Sequence, residues 1–128
     1  MKIQVKKVDT SSEDVIINFT SEYGNAEAFW GSKPIPKANM EYDVELDITD
    51  ELVWGQDVKP SKDKKFSITM QKDDIYITGI IEKVHKGGIA DFRFDKNLVQ
   101  LELEGKNIPT GAYVTIKTYS IEFYESNK

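Results

Sequence analysis

Between Met40 and Trp54 the sequence MEYDVELDITDELVW alternates almost without fault. Met40, Tyr42, Val44, Leu46, Ile48, Leu52 and Trp54 are apolar, and Asp50 is the one break in that series. Glu41, Asp43, Glu45, Asp47 and Glu51 occupy intervening places. A period of two is that of a β-strand, whose successive side chains point to opposite faces. One face is therefore core and the other is a ladder of carboxylates. A straight strand of this length would run about 50 Å, too long for a small domain, so a bend is expected near Thr49-Asp50.

The rest of the chain carries the same kind of punctuation. Ile3 and Val5, Val15 to Phe19, and Ala26 to Trp30 read as strands separated by DTSSED and SEYGN. Those linkers are rich in the residues that favour turns. Gly31, Pro34 and Pro36 make an extended connector into the acid ladder. After the loop GQDVKPSKDKK, short strands follow at Phe66 to Met70, Ile75 to Val84, Ala90 to Phe94, Val99 to Leu103 and Ala112 to Tyr124. Gly79 marks a bulge or a close approach. The change of apolar parity between Ile116 and Tyr119 predicts a bulge at Lys117-Thr118. No segment has helical periodicity. About nine short strands predict one all-β, mostly antiparallel domain over residues 1–128, a barrel or a sandwich.

Length and composition narrow the function classes. A chain of 128 residues buries enough surface to fold without a staple. There is no cysteine, which excludes disulfides and thiolate metal sites. The start MKIQVKKVDT lacks the apolar core of a signal peptide, and no run reaches transmembrane length, so a cytoplasmic protein without membrane contact is expected. The net charge of −5 is local in origin. Residues 38–58 hold seven acids and no base, while the remainder holds 15 acids against 17 bases. Such a balance argues against non-specific nucleic-acid binding, which needs a cationic surface, and permits a basic partner.

Two stretches share an order of features. Residues 2–49 contain Lys7-Val8, a strand ending in Phe19, another strand, Lys33-Pro34-Ile35-Pro36 and a strand with Tyr42. Residues 77–124 contain Lys83-Val84, a strand ending in Phe94, another strand, Lys106-Asn107-Ile108-Pro109 and a strand with Tyr113. The match reads either as an internal duplication of a β-meander or as a likeness that such meanders share by composition.

Catalytic signatures are missing from the sequence. His85 is the only histidine, and it lies in a glycine turn between two lysines, where a solvated side chain is expected. There is no G-x-S-x-G, P-loop or H-E-x-x-H. A non-enzyme without cofactor or metal is expected. The ladder itself is affordable: neighbouring carboxylates about 7 Å apart repel by roughly 0.6 kcal/mol in water before screening. It reads as a solvated face, as a docking surface for a basic protein, or as a calcium site, the last disfavoured because an extended strand spreads its ligands.

The stretch ITGIIEKVHKGGIADFRFDKNLVQLELEGKNIPTGAYVTIKTYSIEFY (77–124) resembles a small OB-like or S1-like barrel: strand, glycine turn, two hairpin strands, an I-P-x-G connector and a long closing strand. The resemblance implies a barrel in the second half. More loosely, the whole chain resembles small acidic all-β bacterial toxin-immunity proteins, which implies binding to a toxin without catalysis. The function expected is therefore a non-catalytic binding module. Its docking residues are Glu41, Asp43, Glu45, Asp47, Asp50 and Glu51, with Leu52 and Trp54 as apolar anchors. The alternative is an OB-like domain for single-stranded nucleic acid or oligosaccharide, using Lys59, Lys62, Lys64 and Lys65.

Overall fold

A computed structural model describes residues 1–126. The chain forms twelve strands: β1 (Lys2–Asp9), β2 (Ile16–Ser21), β3 (Gly24–Trp30), β4 (Glu41–Asp47), β5 (Glu51–Val53), β6 (Val58–Pro60), β7 (Ser67–Gln71), β8 (Asp74–His85), β9 (Ile89–Phe94), β10 (Asn97–Glu104), β11 (Tyr113–Thr118) and β12 (Glu122–Glu125). The domain is all-β and mostly antiparallel, as the alternation requires. It has more strands than the sequence suggested. The acid ladder breaks between Asp47 and Glu51, β6 lies inside the expected basic loop, and the long last strand is really β11 and β12.

The pairings trace two OB-like circuits. In the first barrel β1 pairs with β2, β2 with β3, β3 in parallel with β12, β12 with β4, and β4 with β1. In the second, β8 pairs with β9, β9 with β10, and β10 in parallel with β5. A bridge from Trp54 to Val58 then carries the circuit to β6, which pairs with β11, and β11 returns to β8. Each barrel's fifth position is filled from across the chain. The strand after the first four goes to the second barrel, and the strand after the second four returns to the first.

Local features recur at matching places in the two circuits. The opening strand is bulged in both, between Val5 and Lys7 and between Ile81 and Lys83. Pro36 precedes β4 and Pro109 precedes β11, so both prolines fall between the third and fourth strands. The second barrel does not have the long closing strand expected from the sequence, because that stretch is split in two. β11 stays in that barrel, whereas β12 leaves it. The parity change between Ile116 and Tyr119 is no bulge at Lys117-Thr118, where the pairing with β8 runs unshifted; it is the end of β11, where the chain crosses over. Gly79 is a close approach rather than a bulge: a Cβ there would lie 2.5 Å from the Arg93 carbonyl oxygen and 2.6 Å from the Phe92 ring.

One core runs through both barrels. Phe19 and Phe123 meet edge to face at 4.8 Å between centroids in the first, and Phe92, Leu101 and Ile116 are fully buried in the second. Burial of such side chains contributes roughly 1.5–3 kcal/mol each. Between the barrels Tyr23, at the tip of the β2–β3 turn, packs against Phe66 and Phe94, and Phe66 also touches Tyr113. The β7 strand runs through this seam. Gly24 pairs with Ile68 so closely that a Cβ would sit 1.8 Å from the Ile68 carbonyl oxygen, and its φ of +135° also favours glycine.

Candidate functional site

The carboxylates of β4 divide from the core as alternation demands. Val44 and Leu46 are buried, whereas Glu41, Asp43 and Glu45 are exposed and Asp47 is half-buried. The neighbours decide the character of this face. On one side β1 places Lys2 opposite Asp43 and Gln4 opposite Glu41. On the other, β12 places Tyr124 opposite Glu45 and Glu122 opposite Asp47. A directly opposed like-charge pair is unfavourable, by about 0.8 kcal/mol in water at some 5 Å. The ladder is thus offset by one lysine at one end and reinforced by a second carboxylate at the other.

Tyr124 reports on that environment. Its hydroxyl donates to Glu122 Oε1 at 2.5 Å. This bond, burial of the phenol, and the negative charges of Glu122 and Asp47 together hold its pKa above the ordinary tyrosine value. The ring lies over Gly31, where a Cβ would come within 2.5 Å of it. Tyr124 is 38 % exposed and Met40, beside Glu41 at the rim, is 52 % exposed. Tyr124, opposite Glu45, shares the face of the ladder, whereas Met40 has the parity of Val44 and Leu46 and belongs to the other side of the strand. Sequence reasoning missed Glu122 and Tyr124 because they lie some eighty residues from β4, and a local period records no pairing over that distance.

The remainder of the expected docking set is dispersed. The segment from Glu41 to Asp57 does not form one surface, because the chain crosses to the other barrel after Asp47. Asp50 accepts hydrogen bonds from the Thr118 hydroxyl and the Tyr119 amide, the latter at 3.0 Å, and so fastens the crossover. Asp57 accepts from the Val53 amide at 2.9 Å and shapes the turn between β5 and β6. Leu52 is 3 % exposed and belongs to the core, so it is no anchor. Trp54 is half-buried against Gly105 on the second barrel, away from β4. Glu51 is exposed, but it stands opposite Glu102. With Glu104, Val53 and the Gly87-Gly88 turn it lines a separate open groove of about 300 Å³.

Lys59, Lys62, Lys64 and Lys65 are all exposed. The aromatics nearest to them in the chain are committed elsewhere. Phe66 has its neighbours Tyr23, Phe94 and Tyr113 around it and the Arg93 guanidinium 5.5 Å from its centroid. Arg93 is in turn paired with Glu82. Burial, and then the Asp95 and Glu22 carboxylates, push the Tyr23 phenol above its ordinary value. These rings hold the barrels together and do not form an open stacking platform.

His85 departs from the solvated turn residue expected. It ends β8, is half-exposed, and its Nε2 lies 2.9 Å from Asp91 Oδ2. The other Asp91 oxygen is buried and has no hydrogen-bond partner among the described residues. Among the described residues no group of three His, Asp or Glu side chains is arranged to hold a metal ion. Nor do those residues include a helix long and apolar enough to cross a membrane. No protein family matches the sequence, and neither a curated protein nor a solved structure matches it.

Proposed function

We propose that the chain is a non-catalytic binding module whose β4–β12 face docks a basic protein. The observation that carries this reading is the register placing Glu122 opposite Asp47. A face that served only solubility would gain from a lysine at that position. Instead the strand that completes the barrel adds a carboxylate beside the ladder. A one-sign surface steers an oppositely charged partner and speeds encounter, while apolar groups fix the complex. Tyr124, opposite Glu45 on the same face, is placed to be such a group, and aromatic residues make strong anchors. A basic toxin, of the kind that small acidic immunity proteins neutralise, is one partner of this chemistry.

A decalysine peptide serves as probe of the surface. Backbone amide shifts recorded during its titration should concentrate at Glu41 to Asp47 and Glu122 to Tyr124. They should vanish when Glu41, Asp43 and Glu45 are replaced by lysine. Shifts spread equally over the Glu51–Glu102–Glu104 groove would reduce the ladder to a solvated face. A gel-shift series with single-stranded DNA at low and moderate salt tests the lysine loop, and no retained complex is expected at moderate salt.

A further inference from the structure

Among the described residues, one edge of β10 is only partly covered by a neighbouring strand. On one side it pairs with β9 from Asn97 to Glu102. On the other β5 joins it only at Glu102, Leu103 and Glu104. Among the described residues, Asn97 to Leu101 therefore lack a strand on that side. The first barrel treats the matching place differently. There β7 comes alongside β3, Gly24 pairing with Ile68 while the Ile68 amide donates to the Tyr23 carbonyl at 2.8 Å. Among the described residues, the second barrel has no counterpart of β7.

The open edge is well formed for pairing. Phe94 and Asn97 close a two-residue turn and exchange both backbone bonds. The alternation of an antiparallel ladder then leaves the N–H and C=O groups of Leu98 and Gln100 pointing away from β9. Soluble proteins ordinarily blunt such an edge with a central charge, a proline or a bulge. β10 has none of these in the open stretch, and Leu98, its second residue, is 62 % exposed. Lys96 and Glu102 flank it with opposite charges.

We propose that β10 pairs with β10 of a second copy of the chain, antiparallel about a two-fold axis at Leu98. An isologous contact must be self-complementary, and this edge is. In that register each Leu98 packs against its symmetry mate. Lys96, in the turn that precedes the strand, comes beside Gln100 of the other copy and points its long side chain toward that copy's Glu102. The pairing ends where β5 takes over the edge, so the two copies do not collide with it. A purely basic foreign strand would meet Lys96 at one end, which favours the second copy as occupant.

Sedimentation velocity of the whole chain from micromolar to millimolar concentration tests this. A reversible monomer–dimer equilibrium is expected, a weak one because the contact is smaller than a standard interface. Leu98→Pro removes an outward N–H without touching a bond to β9 and should raise the dissociation constant about 10-fold or more. Leu98→Lys, which puts a charge at the axis of an exposed position, gives the same test should the proline variant fail to fold. Lys96→Glu should weaken the dimer about 3-fold, and adding Glu102→Lys should restore it. A chain that stays monomeric throughout overturns the proposal, as does a dimer indifferent to both Leu98 variants. Amides of Leu98 and Gln100 protected from hydrogen exchange only by added decalysine would overturn it in favour of a foreign strand.

Discussion

The Asp50 carboxylate accepts the Thr118 hydroxyl at the place where the two barrels exchange their fifth strands. Thr118 is 2 % exposed, and the same Asp50 oxygen also takes the Tyr119 amide. Ile48 to Asp50 carry the chain from β4 to β5, and Tyr119 to Ile121 carry it from β11 to β12. One side chain thus ties the outgoing crossover to the returning one. Asp50→Ala should destabilise the fold by about 1–2 kcal/mol, because the Tyr119 amide loses its acceptor and the buried Thr118 hydroxyl keeps only the Ser120 carbonyl, at 3.3 Å. Asp50→Asn keeps a side-chain oxygen and should lose less. Urea denaturation midpoints at constant m-value measure both.

The exchange makes the barrels one cooperative unit. Phe123 belongs by sequence to the second half but fills the core of the first, against Phe19. Phe123→Ala should cost about 3–5 kcal/mol. It should lower the stability of both barrels together. Trp30 lies in the first barrel and Trp54 in the second, so single-tryptophan variants give each its own fluorescence probe. Coincident transitions are expected; two separated midpoints would show barrels that unfold independently.

The opposed carboxylates at Asp47 and Glu122 separate binding from stability. In the Tyr124→Phe background, where no bond to Glu122 is lost, Glu122→Lys should stabilise the isolated chain by about 0.5 kcal/mol, since an opposite-charge pair replaces a like-charge one. The same change should weaken decalysine binding. A variant that becomes more stable and binds equally well would leave the docking role of this face without support.

Tyr124 supplies a pH-dependent readout. Its folded-state pKa is raised, first by the bond to Glu122, then by burial and the charges of Glu122 and Asp47. The neutral phenol is thereby favoured in the native state. Its stabilising contribution is complete below the unfolded value near 10 and is lost as pH rises through the folded value. Phenolate absorbance, taken as the difference between the parent and Tyr124→Phe, should show late ionisation. Glu122→Gln should bring that ionisation earlier.

Alternation alone determined the class of fold. Val44 and Leu46 against Asp43 and Glu45 fix which side of β4 is core, because a strand has a period of two and water rejects one of its faces. The break before Asp50 was also legible, from the one polar residue in the apolar series and the limit on strand length. The destination of the chain after that break was not. Leu52 alternates as well as Leu46 does, but it enters another barrel, and Phe123 returns to the first. Strand pairing between residues so far apart depends on loop closure and on which apolar faces meet, neither of which a local period records. For the same reason the ladder of β4 could be read from its own residues, while its reinforcement by Glu122 and its separation from Glu51 and Trp54 were decided only when β12 closed the barrel.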